Sequence, residues 1–439
     1  MSAGGEGTRR AVHLAMGGLA FLLPSLTPLQ ASCAAATAVG LNLFVLPRFA
    51  PRLFRRGEIE TPWRSGIVLY PVAVLLLILL FHRRMEIAGA SWGIMAAGDS
   101  AAGWIGRRWG RRPIPWNRSK TLAGSAAFIV AAFAFAWAVL AWMGRDPLEA
   151  AILSMAASLF AAWIESLPWR LDDNLTVPLL TALFLAGLVQ VDMRVLLEAA
   201  PALRRSFLWG VAWNALLAVV FRRGGAVDRS GMLAGFAVGV MTFTLAGWSG
   251  FVVLVSFFVL GSATTRFGLR RKERLGIAQE KKGARSARHA LANCGVAVFL
   301  AFLLASAAAP GIYALAFVCA YATAAFDTVS SEIGRAYGGR PVLITTFRTV
   351  APGTNGAVSW VGTLAGLAAA IAVCAVAVAV GFLDARFSAI VLVAAFVGST
   401  ADSVLGATLE ARGLMDNEAV NFSNTLIGAL SGIGLAVLI

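Results

Sequence analysis

Acidic side chains stand at the ends of apolar segments in this sequence, where they suit metal or phosphate chemistry. Asp99 follows the apolar run Ala96-Ala97-Gly98. A carboxylate at the edge of a membrane is costly unless it is paired or solvated. Mg²⁺ bound between this carboxylate and substrate phosphates would compensate its charge, because Mg²⁺ takes one or two carboxylates with phosphate oxygens and water. A helix-terminal Asp paired with an arginine is the simpler interpretation.

The loop after Asp99 combines glycine with cations, which run through Arg107, Arg108, Arg111, Arg112, Arg118 and Lys120. Backbone amides and cations in such a loop can converge on a polyphosphate. Control of membrane topology is the alternative, and it explains the arginines but not Lys120-Thr121 leading into Gly124. No GxxxxGK[ST] motif occurs in the sequence, so the predicted phosphate site is not a P-loop.

A second acidic cluster comprises Glu165, Asp172 and Asp173, with Asn174 beside it. Such clustering predicts further metal ligands or a base for a hydroxyl group. Helix capping is the alternative, and it accounts for one or two of these residues. The choice of base among the three acids stays open.

The second half of the chain repeats the theme. Gly334, Gly338, Arg348 and Gly353 follow Asp327 at nearly the offsets at which Gly106, Gly110, Lys120 and Gly124 follow Asp99. This ordered set predicts a parallel internal repeat, with both copies in one orientation. A late cluster of acids and amides completes the second half and comprises Asp402, Asp416, Asn417, Glu418, Asn421 and Asn424.

The chain that positions these residues is very apolar. Of its 439 residues 59% are hydrophobic and 13% charged, and its mean hydropathy is +0.78, which excludes an ordinary soluble domain. Recurrent apolar runs predict an all-α polytopic membrane protein of about 15 transmembrane helices in two parallel-repeat halves. The halves are residues 1–200 and 205–439, joined by a short connector at Glu198–Ser206. The first apolar segment is interpreted as a retained span.

The net charge of +15 lies in short loops between apolar segments, so the positive-inside rule explains it better than nucleic-acid binding. This rule places the amino terminus and the polar motifs on the cytoplasmic side. The basic run Arg266–Arg288 fits either topology control or contact with phosphates. The scattered cysteines and histidines predict neither a disulfide nor a zinc site.

Residues 6–200 resemble the CTP-dependent dolichol kinase and phytol kinase family, which is similar to phosphatidate cytidylyltransferases. The resemblance rests on Glu6-x-x-Arg9-Arg10-x-x-His13, Gly98-Asp99-Ser100-Ala101-Ala102, Lys120-Thr121-Leu122-Ala123-Gly124 and Asp172-Asp173-Asn174-Leu175-Thr176-Val177-Pro178. Arg10 stands where the family usually has Lys, and Thr121 where it usually has Ser.

Residues 205–439 resemble the DUF92 family, which includes the transmembrane protein 19 group and the plant phytyl-phosphate kinases. The resemblance rests on Gly224 to Gly250, Ala292-Asn293-Cys294-Gly295, Asp327-Thr328-x-x-Ser331-Glu332-x-Gly334, Pro352-Gly353-Thr354-Asn355-Gly356 and Asp402-Ser403-x-x-Gly406. Arg348 stands where Lys is common.

Together the resemblances imply a fusion of two kinases that act in sequence. The first half would phosphorylate an isoprenoid alcohol with CTP, and the second would convert the monophosphate to the diphosphate. A cytidylyltransferase that forms a CDP-lipid and a transporter of lipids or anions remain alternatives. The implied partners are the isoprenoid alcohol, its phosphate, a nucleoside triphosphate and membrane lipid, with no nucleic acid.

The implied site residues fall into three groups. Catalytic roles go to Asp99, Lys120, Glu165, Asp172, Asp173, Asp327, Glu332, Arg348 and Asp402. Mg²⁺ would be held by Asp99, Asp172, Asp327 and Asp402. Nucleotide and phosphate contacts would come from Arg9, Arg10, His13, Gly106, Gly110, Arg118, Gly124, Asn174, Asn293, Gly353, Thr354, Asn355, Gly356, Asn421 and Asn424.

Overall fold

The computed structural model describes residues 3–50, 54, 63, 65–274, 276 and 285–438, without the side chains of residues 3–6, 8, 9 and 270. The predicted phosphate contact of Arg9 therefore lies outside the described residues. The described chain is almost entirely helical, which confirms the all-α prediction. It forms two compact units, Met1–Val189 and Gln190–Ile439.

The described residues of the first unit form eight helices and one short hairpin. The helices are α1 (Ala3–Gly17), α2 (Pro28–Gly40), α3 (Leu46–Phe49), α4 (Gly66–Leu80), α5 (Met85–Trp109), α6 (Leu122–Trp142), α7 (Pro147–Ser166) and α8 (Asp173–Leu188). A 3₁₀ segment, Gly18–Ser25, follows α1, and a π-helical turn, Leu41–Val45, follows α2. Strands β1 (Pro113–Ile114) and β2 (Asn117–Thr121) pair antiparallel between α5 and α6.

In the second unit the part that the structure describes forms eight further helices. They are α9 (Met193–Arg223), α10 (Arg229–Arg266), α11 (Leu269–Arg274), α12 (Ala287–Ser306), α13 (Gly311–Tyr337), α14 (Trp360–Ala379), α15 (Ser388–Leu405) and α16 (Asn417–Leu438). A 3₁₀ turn, Ala385–Phe387, precedes α15, and a π-helical turn, Gly406–Glu410, follows it. Strands β3 (Val342–Leu343) and β4 (Ala357–Val358) pair antiparallel between α13 and α14.

Nine helical segments of the described chain are long and apolar enough to cross a membrane, while α4 and α8 are apolar but shorter. Two predicted spans, 230–246 and 249–265, form the single element α10, which is broken at Gly247 (φ 66°). The predicted connector Glu198–Ser206 lies inside α9 and is not a break in structure. Its charged side chains are exposed on the helix, so the loss of hydrophobicity there does not end the helix.

One helix in each unit is buried on nearly all sides. In α5 every residue from Ile87 to Gly98 is buried, and in α13 every residue from Leu315 to Phe326 is buried. Small residues permit this packing. A Cβ added at Gly98 would lie 2.7 Å from the ring of Phe128 in α6, so only glycine allows this contact. Asp99 and Asp327 stand one residue beyond the fully buried stretch. The sequence predicts that the helices end at these acids, and this is wrong, because α5 continues to Trp109 and α13 to Tyr337.

The same contacts join α5 to α6 and α13 to α14. Thr121 accepts a hydrogen bond from Gly124 N at 3.2 Å, and Ser359 accepts one from Gly362 N at 3.2 Å, so each caps the following helix. A Cβ at Gly124 would lie 3.4 Å from Gly106 Cα, and one at Gly362 would lie 3.2 Å from Gly334 Cα. In both units two glycines allow the helices to cross closely beside a hydroxyl cap.

This correspondence corrects the predicted alignment of the two halves. Gly362, not Gly353, occupies the place of Gly124, and Val358, not Arg348, precedes the helix cap as Lys120 does. The reason is the hairpin: β1 and β2 are joined by Pro115 and Trp116, whereas β3 and β4 are joined by the long loop 344–356. Counting from Asp327 by the offsets that separate Lys120 and Gly124 from Asp99 therefore ends in this loop and not at the start of the following helix.

Candidate functional site

In the first unit the hairpin is attached to the end of α7. Trp116 Nε1 donates to Ser166 Oγ at 3.2 Å, and Asn117 Nδ2 donates to the carbonyl oxygens of Ser166 and Leu167 at 3.2 and 3.3 Å. These bonds satisfy carbonyls at the helix end that have no partner within α7. They also fix strand β2 beside the last turn of α7, where Glu165 lies.

Lys120 on β2 joins two acidic residues from different helices. Its ammonium group donates to Glu165 in the last turn of α7 and, at 2.9 Å, to Asp173 Oδ2 at the start of α8. Glu165 is 4% exposed, and its pairing with Lys120 offsets the free-energy cost of burying the carboxylate. Burial disfavours the charged ammonium, but the negative charges of Asp173 and Glu165 outweigh it and raise the pKa of Lys120 above its usual value.

Asp99 belongs to the same cluster. Its negative charge acts on the carboxylates of both Glu165 and Asp173. Asp99, Glu165 and Asp173 therefore lie within electrostatic range of one another, and Lys120 binds the last two. Such a group of carboxylates suits Mg²⁺, which binds through one or two carboxylates and completes its coordination with phosphate and water.

Asp172 and Asn174 have a local role. Asp172 Oδ1 accepts from Asn174 N at 2.9 Å and from Asn174 Nδ2 at 2.7 Å, so Asp172 caps α8 and holds the amide of Asn174. The capping interpretation describes this pair. Asp173, the next residue, is the one that faces Lys120.

Helix α1 packs along α5 close to Asp99. Ser100 Oγ donates to the carbonyl of Arg10 at 3.3 Å, and a Cβ at Gly103 would lie 2.2 Å from Arg10 Cζ. Tyr70 OH donates to the carbonyl of His13 at 3.3 Å. The structure thus brings Arg10 to the turn of α5 that follows Asp99. Arg118 is exposed on β2, while Gly106, Gly110 and Gly124 serve the close helix crossing.

In the second unit Asp327 of α13 and Asp402 of α15 adjoin. Their carboxyl groups lie within hydrogen-bonding reach, and Asn424 Nδ2 of α16 donates to Asp402 Oδ1 at 2.8 Å. Two adjoining carboxylates repel each other when both are charged, so a cation bound between them would stabilise the pair. This pair brings together two of the predicted metal ligands from residues 75 positions apart in the sequence.

The glycine turn of the second unit lies against the same end of α15. A Cβ at Gly356 would lie 2.4 Å from the carbonyl oxygen of Ser403, and Gly356 adopts φ 74°, so glycine is needed here for two reasons. Thr354 Oγ1 donates to Ala351 O at 2.8 Å within the turn. The segment Gly353–Gly356 therefore adjoins the helix that carries Asp402. Arg348 is exposed in the same loop.

Glu332 occupies a different place from the one expected. Its carboxylate is bound by Lys272 of α11, and both side chains are at least 97% buried. Lys272 also donates to the carbonyls of Thr264 and Thr265 at 3.1 and 3.2 Å. Five residues advance about 140° around a helix, so Glu332 and Asp327 face different sides of α13. The structure separates Glu332 from the Asp327–Asp402 pair.

Asn293 and Asn421, both predicted to contact phosphate, are buried in their helices. Asn293 Nδ2 donates to the carbonyl of His289 at 3.0 Å, and the backbone carbonyl of Asn421 accepts from Thr425 Oγ1 at 3.2 Å. Asn424, by contrast, contacts Asp402 directly. Of these amides, Asn424 is the one that lies at the acidic pair.

Sequence reasoning missed two charged residues near this pair. Arg335 acts electrostatically on both Asp327 and Asp402, while Glu410 acts on Asp327 and is itself acted on by Asp402. A signal for Arg335 was present, because residues eight apart return to the same face of a helix. Glu410 lies in a π-helical turn, and no sequence pattern marked that turn.

No group of three or more His, Cys, Asp or Glu side chains able to hold a metal ion occurs in the part of the chain that the structure describes. A cation at either site would therefore depend on two protein carboxylates and on oxygens supplied by its ligand. Asp327 with Asp402, and Asp99 with Asp173, are the pairs that fit this requirement.

Comparisons with known proteins agree with the two resemblances. Residues 212–429 match the model of the family described as integral membrane protein DUF92. An uncharacterized membrane protein of Synechocystis is 38% identical over 205 residues, covering 46% of this chain and 79% of the relative. Protein VTE6, chloroplastic, of Arabidopsis thaliana is 31% identical over 258 residues, covering 56% and 76%.

A relative named as a probable chloroplastic phytol kinase, from Triticum aestivum, is 29% identical over 160 residues, covering 35% of this chain and 53% of the relative. No solved structure matches the chain.

Proposed function

This chain belongs to the DUF92 family of multi-pass integral membrane proteins, and from that premise we propose that it is a bifunctional kinase of isoprenoid alcohols. The first unit transfers a phosphoryl group from CTP to the alcohol. The second unit phosphorylates the resulting monophosphate to the diphosphate. The similarity to a probable phytol kinase supports the first activity. The resemblance of motifs in the first unit to the phytol kinase family supports assigning this activity to the first unit.

The observation that carries this proposal is the contact of Lys120 with both Glu165 and Asp173 beside Asp99. Phosphoryl transfer requires a cation fixed where charge develops and carboxylates that hold Mg²⁺ on the nucleotide. Lys120 is fixed by two acids, so it keeps its position before and during the reaction. Preorganised charge of this kind is usually the largest contribution to catalysis.

In the first step the hydroxyl oxygen of the alcohol attacks the terminal phosphorus of CTP, the bond to the bridging oxygen breaks, and CDP leaves. Bound Mg²⁺ would supply charge neutralisation on the nucleotide, with Asp99 and Asp173 as its protein ligands. Lys120 stabilises the transferred group, and Arg10 and Arg118 supply further positive charge. The hydroxyl proton passes to Glu165, because Asp172 is engaged in capping α8 and Asp173 is assigned to Mg²⁺.

In the second step an anionic oxygen of the monophosphate attacks the terminal phosphorus of a nucleoside triphosphate, the bond to the bridging oxygen breaks, and the nucleoside diphosphate leaves. The attacking oxygen carries no proton, so this step needs no base. Asp327 and Asp402 would hold Mg²⁺, with Asn424 orienting Asp402. The backbone of Gly353–Gly356 and the exposed Arg348 would contact the nucleotide phosphates. The positive charge of Arg335 attracts both carboxylates. By the positive-inside rule both sites open to the cytoplasm, where nucleoside triphosphates occur.

The test uses the full-length protein purified in detergent. It is incubated with Mg²⁺, each of several labelled nucleotides and a C20 prenol, and the lipid products are separated as alcohol, monophosphate, diphosphate and CDP-lipid. We expect labelled mono- and diphosphate with release of CDP. Pyrophosphate release with a CDP-lipid would identify a cytidylyltransferase instead, and the absence of any labelled lipid would contradict the proposal.

A further inference from the structure

A buried cation of the second unit, Arg285, belongs to the basic run Arg266–Arg288. Arg285 is 9% exposed, and its Nη2 has no hydrogen-bond partner among the described residues. No carboxylate of the described chain forms an ion pair with it. An isolated charge inside a protein costs several kcal/mol, so buried charges are normally paired.

The position of this guanidinium group is built into the fold. The backbone of Arg285 is fixed on both sides, because its N–H donates to Ala226 O and its carbonyl accepts from Asp228 N, each at 3.1 Å. The side chain extends to α10, where its Cζ lies 5.3 Å from the ring centroid of Phe257. A Cβ at Gly261 would lie 2.1 Å from Nη2. Glycine at this position leaves room for the guanidinium group.

A cavity of about 90 Å³ adjoins Arg285. Its polar lining comes from Arg285, His289, Asn293 and Asn214, and its remaining walls are apolar and rich in phenylalanine. One water requires about 10–15 Å³ of such space, so the cavity can hold a group of several non-hydrogen atoms. A cation among amides and apolar walls suits the anionic end of an amphipathic molecule.

The acidic neighbours do not compensate Arg285. Glu332 acts on it electrostatically, but the Glu332 carboxylate is held by Lys272. The two phenylalanine rings beside Arg285 offer only a cation–π contribution, which is smaller than that of an anion. The missing partner is therefore an anion that is not part of the described chain. Arginine binds phosphate with its planar fork of donors.

The location connects this cavity with the candidate acidic pair. The Cβ position of Gly261 that adjoins Arg285 Nη2 also lies 3.3 Å from Cγ2 of Thr328, the residue after Asp327. We propose that Arg285 binds the phosphate of an isoprenoid monophosphate, which rests on the function proposed for the second unit. The phosphate is then held one residue from Asp327, and the apolar walls receive the hydrocarbon chain.

The experiment compares Arg285→Met with Arg288→Met in full-length protein in detergent. Arg288 is a matched control, because its side chain is 63% exposed and paired with Asp416 and Glu418. The probes are a C20 prenyl monophosphate, the parent prenol and inorganic phosphate, all without nucleotide. Thermal unfolding and equilibrium binding are measured for each protein and probe.

We expect the prenyl monophosphate to stabilise the unmodified protein and Arg288→Met, and to bind Arg285→Met at least tenfold more weakly. Without ligand, Arg285→Met unfolds at the same or a higher temperature, because an unpaired buried charge has been removed. Unchanged affinity of Arg285→Met would overturn the inference. The inference would also be overturned if inorganic phosphate bound as tightly as the prenyl monophosphate, since the hydrocarbon chain of the ligand would then contribute nothing to its affinity.

If Arg285→Met does not fold, Arg285→Lys decides, because it keeps the charge and loses the planar fork. Weaker binding of the prenyl monophosphate by Arg285→Lys supports the inference, and unchanged binding overturns it. These arms use no nucleotide, so they stand apart from the kinase assay. Failure of the proposed function appears as absence of diphosphate from the unmodified protein, whatever the binding result.

Discussion

Lys120 donates a hydrogen bond to Asp173 at 2.9 Å, across 53 positions of sequence. The contact joins strand β2 to the start of α8, and Glu165 at the end of α7 completes it. Three elements thus meet at one ammonium group. The first predictions concern this group and its neighbour Asp99.

Two substitutions of Lys120 distinguish the effect of its positive charge on the rate from the effect of its shape. We expect Lys120→Met to lower formation of the monophosphate by about 100-fold or more, the usual effect of removing one preorganised charge. Lys120→Arg keeps the charge and should retain more activity. The measurement is the initial rate of monophosphate formation, with diphosphate formation from added monophosphate as an internal control for folding. Equal loss of both steps in Lys120→Met would indicate general damage.

The raised pKa of Lys120 predicts a pH range. Its folded pKa exceeds the unfolded value of about 10.4, so the stabilisation from its ion pairs is complete below that value and is lost as the pH rises through the folded pKa. Lys120 should therefore stay charged throughout pH 7–10. We expect Lys120→Arg to leave the alkaline limb of the pH–rate profile unchanged. A shift of that limb would show that Lys120 itself titrates there.

Asp99→Asn tests the division of labour between the units. The substitution removes a negative charge from the Lys120 cluster and a candidate Mg²⁺ ligand. We expect loss of monophosphate formation from labelled prenol, with diphosphate formation from added monophosphate retained. Asp327→Asn should give the reverse pattern. Phosphorylation of labelled prenol by purified Asp99→Asn would mean that Asp99 has no essential part.

The buried pair of Lys272 and Glu332 should be structural. Breaking a buried pair by removing one partner typically costs about 3–5 kcal/mol, because the other charge stays buried and unpaired. We expect Lys272→Met to lower the unfolding temperature markedly and Lys272→Met/Glu332→Gln to recover most of the loss. Thermal unfolding in detergent measures this, and the doubly substituted protein should still form diphosphate. A double variant that is stable but inactive would indicate that Glu332 has a catalytic role.

The close helix crossing in the second unit predicts a steric effect. A Cβ at Gly362 would lie 2.6 Å from Ser330 O, whereas at Gly295 in α12 no atom lies within 4 Å. We expect Gly362→Ala to destabilise the protein by about 1–3 kcal/mol through overpacking. Gly295→Ala is the matched control and should be neutral or stabilising by up to about 1 kcal/mol, since alanine favours helix. Equal unfolding temperatures for the two variants would contradict the crossing.

Local pattern was sufficient for several features of the site. Asp99 and Asp327 were recognisable as carboxylates at the ends of apolar runs, although their helices continue beyond them, and the glycines Gly106 and Gly334 followed at constant spacing. Helix ends and apolar runs depend on nearby residues, so a sequence states them directly. The position of Glu332 beside the acidic pair and the alignment of Arg348 with Lys120 were predicted wrongly for the opposite reason. Their partners are set by which side of a helix they face and by the length of a loop.

The sequence by itself determined an all-α, multi-pass membrane protein, its family and the acids that follow its apolar runs, because hydrophobicity and motif spacing are properties of neighbouring residues. Only the tertiary structure decided that Lys120 joins Glu165 to Asp173, that Asp327 adjoins Asp402, and that Lys272 holds Glu332. These contacts link residues separated by 45 to 75 positions. Their distances depend on how helices cross and on which small residues let them approach, and no local pattern encodes that packing.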